Sequence, residues 1–125
     1  MRTPNSHLIG LQGEDLVAQH LQTQGCEIIA RRWQCPCSDL DLVASDRAHL
    51  IFVEVKTRSR HNWDQNGLLA ITPSKQARLY QAATHFLGAH DLEYHQFPCR
   101  FDLALVRHQG GQLWLHSYIT NALTF

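Results

Sequence analysis

Residues 50–56 read Leu50-Ile51-Phe52-Val53-Glu54-Val55-Lys56, an apolar run closed by an acid and a lysine two positions apart. The run is apolar enough for a central strand, over Leu50 to Val55, buried on both faces. Strand side chains alternate, so Glu54 and Lys56 share one face while Val53 and Val55 share the other. Charged groups at the end of such a strand are costly to bury unless they are paired or coordinated. Taken alone, the two are most simply a structural ion pair where the strand emerges into solvent.

The segment just upstream changes that balance. Residues 40–44 read as a preceding strand, with Asp39 and Asp41 on one face and Leu40 and Leu42 on the other. A short turn around Ser45 to Ala48 makes the two strands an antiparallel hairpin. If Asp41 lies opposite Glu54, the hairpin gathers Asp41, Glu54 and Lys56 at one point, and a register slip of two preserves that facing. Two carboxylates about 4 Å apart repel by roughly 4 kcal/mol at an effective dielectric of 20. A positive charge is therefore required between them, either Lys56 or a divalent cation. Carboxylates and water suit Mg²⁺ or Mn²⁺ better than zinc or copper. Such an ion activates water and stabilises phosphoryl charge, and a lysine beside it orients the water, which is a toolkit for phosphodiester hydrolysis.

Further out, residues 6–24 predict a helix, with Ser6 as candidate N-cap and Gly25 as the stop. Gly10 and Gly13 inside it each cost about 1 kcal/mol relative to Ala, which points to close approach of this helix to another backbone. Cys26 to Trp33 reads as a first strand, and residues 59–71, polar and without period, as a loop. Thr72 or Ser74 caps a second helix that has Pro73 in its first turn, runs to about Leu87 and stops at Gly88. Phe101 to Val106 and Leu113 to Tyr118 are two more strands, joined across Gln109-Gly110-Gly111. The order helix, three strands, helix, two strands is that of an α/β or α+β sheet with helices packed on it.

With 125 residues the chain is read as one domain, and 44% hydrophobic with 18% charged residues excludes a disordered chain. No apolar run approaches the ~20 residues of a membrane span, and the N-terminus lacks a secretory h-region, so the expectation is a cytoplasmic protein away from membranes. Eleven basic residues balance eleven acidic ones, which argues against a polybasic nucleic-acid binder but leaves room for a local basic patch. Only Lys56 and Lys75 are lysines. Cys26, Cys35, Cys37 and Cys99 do not make a disulfide framework, and Cys35-Pro36-Cys37 is not zinc-knuckle spacing. The nine histidines are scattered, and none is assigned chemistry.

An acid, a hairpin turn and then Glu-x-Lys resemble the PD-(D/E)XK, restriction-endonuclease-like superfamily. More closely, the chain resembles the YraN-like family of small bacterial proteins. The matching pieces are Gly13-Glu14, Ser38-Asp39-Leu40-Asp41-Leu42-Val43, Phe52-Val53-Glu54-Val55-Lys56-Thr57-Arg58, Lys75-Gln76 and Arg100-Phe101-Asp102. The resemblance implies an αβββαβ core with a mixed central sheet, similar to archaeal Holliday-junction resolvases. It further implies that Asp41 and Glu54 bind Mg²⁺ or Mn²⁺, that Lys56 orients the attacking water, and that Glu14 completes the site from the helix. Where the family has Gly-Glu-Ile-Asp this chain has Ser38-Asp39-Leu40-Asp41, which leaves Asp41 in place and alters the acid two residues before it.

Lys56, Arg58 and Arg60 alternate along the strand exit, followed by His61 and Trp63, while Lys75 and Arg78 open the next helix. Together with Gln76 they are the candidate nucleic-acid contacts, a helix N-terminus with lysine nearby being a natural phosphate site. A solvated basic rim accounts for the same residues. Trp63 is placed to stack on an unpaired base. Gln76 and Tyr80 match the Gln-x-x-x-Tyr element of some nucleases of the superfamily. The expected function is metal-dependent endonuclease action on DNA, with branched or structured DNA and a homodimer implied by the resolvase likeness alone. The alternatives are a nucleic-acid-binding or assembly protein that keeps the fold without turnover, and a structural zinc protein built on the cysteines.

Overall fold

A computed structural model describes residues 6–36, 38–59, 71–90 and 98–123. The elements follow one another as α1 (Ser6–Thr23), β1 (Glu27–Gln34), β2 (Asp39–Ser45), β3 (Leu50–Ser59), α2 (Pro73–Ala89), β4 (Cys99–Gln109) and β5 (Gln112–Ile119). The fold is α/β, in the αβββαβ order that the resemblance implied, with one further strand. The five strands lie in the sheet in chain order. The β1–β2, β2–β3 and β4–β5 pairs are antiparallel and β3–β4 is parallel, so the sheet is mixed. A parallel neighbour needs a crossover, and α2 lies within it.

Each face of the sheet carries one helix. Val17, Ala18 and Leu21 of α1 pack on Leu42, Ile51, Val53 and Ala104. On the other face Leu79, Ala82 and Phe86 of α2 cover Val43, Phe52 and Leu103. Phe52 stacks on Phe101 with centroids 5.1 Å apart and meets Phe86 edge-on at 5.9 Å, an arrangement that suits the ring quadrupoles. The strand at 50–56 is thus central and covered on both sides, as its composition required. It also runs to Ser59, four residues past the predicted end, because β4 stays paired with it as far as Ser59 and His108.

Local signals explain most of the element ends. Gly25 stops α1 at φ +91°, its N–H donating to the Gln22 carbonyl at 3.0 Å while Cys26 N–H donates to Leu21 at 2.9 Å. This is the glycine-capped helix end in which two orphan carbonyls are satisfied. Ser6 is the first helical residue rather than the flanking cap. Thr72 caps α2, its hydroxyl accepting from Lys75 N–H at 3.1 Å, and Pro73 opens the helix. Gly88 does not stop α2. His90 caps it instead, its Nδ1 donating to the Phe86 carbonyl at 2.8 Å and its ring stacking on Phe86, contacts that carry the helix past the glycine. Gly110 and Gly111, at φ +58° and +80°, form the tight two-residue turn between the paired Gln109 and Gln112.

Close approach holds for one of the two helix glycines, and it is to a side chain rather than to another backbone. A Cβ on Gly13 would collide with the Thr57 side chain of β3, whereas one on Gly10 would meet nothing within 4 Å. The first turns of α1 therefore stand off the sheet, and the contact is made a turn later. Of the 59–71 loop, residues 60–70, with Arg60, His61 and Trp63, lie outside the described residues, as does Cys37.

Candidate functional site

The hairpin of β2 and β3 is the scaffold of the site. Its turn is held by Asp46, whose Oδ1 accepts from the N–H groups of Ala48 at 2.9 Å and His49 at 2.7 Å. From there the ladder runs through Ser45–Leu50, Ala44–Ile51 and Val43–Phe52 to Leu42–Val53. One step beyond that last pair stand Asp41 and Glu54, the register under which the hairpin gathers them. At this step the backbone ladder stops. Asp41 Oδ2 accepts the Val55 N–H at 2.8 Å, so a carboxylate takes the place of a strand carbonyl.

The side-chain alternation changes phase at the same place. Leu40 packs in the cluster under α2 and Leu42 in the cluster under α1, which corrects the expectation that they share a face. On β1 the pairs Arg31–Leu42 and Trp33–Leu40 bracket Arg32, whose φ of +49° is in the left-handed region. Side-chain-bearing residues other than Asn and Asp seldom enter that region, and here it lets both strands turn their pattern over together. A period-2 reading of residues 39–42 has no means of registering such a twist.

The phase change separates the approaches to the two acids. Glu54 is buried, on the α2 side. Its Oε1 lies 3.2 Å from Lys56 Nζ and 3.7 Å from Lys75 Nζ, the latter arriving from the first turn of α2. Asp41 opens instead onto a cleft of about 370 Å³ between α1 and the strand ends, with Glu14, Arg32, Asp39 and His7 in its wall. Glu14 reaches this cleft because Gly13 lets α1 settle on Thr57. Its Oε1 accepts from Arg32 Nη1 at 3.2 Å. Arg31 makes a parallel tie, donating to Asp15 at 2.8 Å.

Electrostatics follow from that crowding. Burial first, and then the Glu54 charge, push the Asp41 carboxyl up to about 7, against the Val55 N–H and Lys56, which favour the anion. Burial likewise raises Glu14, with Arg32 opposing it. Asp41 also feels the Glu14 charge. Asp41 thus feels the charges of Glu54, Lys56 and Glu14 together. Among the described residues, however, no three His, Cys, Asp or Glu side chains stand close enough together to hold a metal ion.

Two contacts escaped the sequence reading. The sequence puts Lys75 on a phosphate-binding rim, yet its ammonium lies 3.7 Å from Glu54 Oε1; that it is one of only two lysines is the available signal. Arg32, the counter-ion of Glu14, had no signal beyond its position near a strand end. Arg58 donates to the Thr57 carbonyl at 3.1 Å, Gln76 is half-buried, and Arg78 is exposed on α2.

The Arg100-Phe101-Asp102 segment serves the fold. Asp102 is fully enclosed on the α1 face and accepts from Arg100 Nε and Nη2 at 2.9 Å each, Tyr118 OH at 2.6 Å and Asn121 N–H at 2.8 Å. Burial and the bond to Asp102 both raise the Tyr118 hydroxyl, which stays protonated as a donor. This knot ties β4, β5 and the segment after β5 together, and every acceptor in it is satisfied by a charge-assisted or backbone donor.

Comparison with known proteins agrees with the residues quoted above. The model of the uncharacterised protein family UPF0102 matches residues 13–106. A UPF0102 protein of Thermosynechococcus vestitus is 50% identical over 117 residues, covering 93% of this chain and 94% of the relative. One from Trichodesmium erythraeum is 50% identical over 110 residues, and there this chain spans 61% of the relative's length. The chain belongs to the UPF0102 family, the YraN-like group that its motifs resemble. Among solved structures, Pyrococcus furiosus SfsA in complex with Ca²⁺ aligns at 15% identity and a TM-score of 0.40, over 92% of this chain and 64% of that one.

Proposed function

We propose that this protein is a metal-dependent nuclease that hydrolyses phosphodiester bonds of DNA, with branched or structured DNA as its substrate class. The observation that carries the reading is that Asp41 stands one step past the last β2–β3 pair, where it feels the charges of Glu54 and Lys56, which are themselves paired at 3.2 Å. The donor set fits a hard divalent cation, because burial first and then the Glu54 charge disfavour the Asp41 anion, and a bound cation would relieve both. Asp41 and Glu54 would hold Mg²⁺ or Mn²⁺, and Glu14 would complete the set from α1 on release from Arg32. When bound, such an ion lowers the pKa of a coordinated water and offsets charge on the phosphoryl oxygens. Lys56, fixed by Glu54, orients the nucleophile. Arg58, Arg60, Lys75, Gln76 and Arg78 receive the phosphate backbone, with Lys75 and Gln76 on the first turn of α2. A homodimer, one active site for each strand cut, accompanies this reading.

A rival reading has its own observation. Lys56 and Lys75 lie on Glu54, Arg32 on Glu14 and the Val55 N–H on Asp41, so each acid already has a protein partner. A nucleic-acid-binding or assembly protein with no turnover would look the same. Calorimetric titration of Mg²⁺ and Mn²⁺, with and without a DNA junction, separates the two. The nuclease reading expects binding that is lost in Asp41→Asn/Glu54→Gln, and cleavage that is lost in Lys56→Ala while DNA binding persists. Absence of metal binding by the parent chain even with DNA would move the assignment to the binding module.

A further inference from the structure

The three acids of the site, Glu14, Asp41 and Glu54, stand beside three cations, Arg32, Lys56 and Lys75. With every acid ionised the group is neutral, so an added divalent ion leaves it with two excess positive charges. Lys56 and Lys75 meet the same oxygen of Glu54, from the strand and from the helix, and at 3.2 and 3.7 Å both ammoniums compete for it. Lys75 is the more distant and the more exposed of the two, with 25% of its side chain accessible against 17% for Lys56. Its backbone sits where Thr72 caps a 17-residue helix, one turn before the exposed Arg78, at the end of a helix that favours anions.

We propose that Lys75 is an exchangeable counter-ion: it neutralises Glu54 in the metal-free protein and transfers to a substrate phosphate when a divalent ion takes the carboxylates. The inference rests on the nuclease reading and adds to it a coupling between metal and DNA. An ion entering alone must displace the Lys75 charge. An ion entering with DNA displaces it too, but the phosphate then accepts the freed ammonium. Metal and DNA then raise each other's affinity by the same factor, as linkage requires. Lys75 is a positioning residue in this scheme, since it acts through Glu54 and the phosphate and not on the reacting atoms.

The test is Mn²⁺ titration of the full chain and of Lys75→Met, each alone and with a DNA junction, with DNA affinity followed by fluorescence anisotropy. Lys75→Met is expected to bind Mn²⁺ alone roughly tenfold more tightly than the parent, one competing charge having been removed. It should bind DNA more weakly in Mn²⁺, with the salt slope reduced by about one. The gain in Mn²⁺ affinity that DNA gives the parent should shrink towards none. Lys75→Arg should behave as the parent, and Lys75→Gln, which can still bond Glu54 without charge, should follow Lys75→Met if that variant folds poorly. A folded Lys75→Met or Lys75→Gln with parental or weaker Mn²⁺ affinity would mean that Lys75 only ties α2 to β3, and would overturn the inference alone. A parent chain that binds no Mn²⁺ with or without DNA overturns the nuclease reading and this inference with it.

Discussion

Asp41 carries two opposed demands. Its carboxylate closes the ladder by accepting the Val55 N–H at 2.8 Å, yet burial and Glu54 raise its pKa from 3.8 to about 7. A carboxyl that holds its proton more tightly when folded contributes stability that is complete below its unfolded pKa. That contribution is lost as pH rises through the folded value. Asn at this position keeps an oxygen for Val55 N–H and carries no charge to be repelled by Glu54. Asp41→Asn should therefore melt close to the parent at pH 4 and about 5 °C or more above it at pH 8, in chelator-treated buffer. Thermal melts across that range check the sign; equal midpoints throughout would show that Asp41 is not held protonated by its surroundings. Of this site, the identities of Asp41, Glu54 and Lys56 were legible from spacing alone. The pairing of Lys75 with Glu54 was not, because a residue 21 positions along the chain meets Glu54 only through the crossover of α2.

At the scale of elements, the two packing contacts of the helices do different work. Thr72 and Pro73 start α2 at a defined residue, which fixes where Lys75 sits on its first turn. Gly13 sets the depth of α1 against β3, and so the reach of Glu14 into the cleft. Gly13→Ala should destabilise the protein by about 1–3 kcal/mol, since Thr57 must move or α1 must lift. In Gly13→Ala/Thr57→Ala the hydroxyl that collides is gone, and most of that loss should be recovered. Urea denaturation of the two single variants and the double one gives the coupling directly. Additive losses would show that the helix does not seat on Thr57. Two glycines in one predicted helix signalled a close approach, but only the packing distinguishes Gly13, against the sheet, from Gly10, in open space.

In the whole molecule, β3 and β4 form the parallel centre, paired over ten positions from Leu50–Cys99 to Ser59–His108 and flanked by a helix on each face. The strands β1 and β5 are the edges, and their side chains are mostly exposed or half-buried. Amide exchange should accordingly be slowest in the buried stretches of β3 and β4, and faster in β1 and β5 by two or more orders of magnitude, about the ratio of sub-global to global opening. Hydrogen-exchange mass spectrometry resolves the difference. Equal protection across all five strands would mean that the sheet opens only as a unit. The Asp102 knot lies in this centre and links three chain segments, which explains why a charged residue is tolerated there with 2% exposure.

What the sequence determined by itself is the set of elements and the chemistry they carry. The apolar run at residues 50–56, the turn residues and the helix signals are local, and local sterics and burial suffice to read them. The hairpin itself follows as well, while the register that sets Asp41 one step past the Leu42–Val53 pair was left open by the sequence. Only the tertiary structure decided that β2 turns its pattern over at Asp41. It also decided that Arg32 claims Glu14 and that Lys75 shares an oxygen with Lys56. Each of these depends on the relative placement of a helix and a strand that are distant in sequence, and packing across the sheet sets that placement.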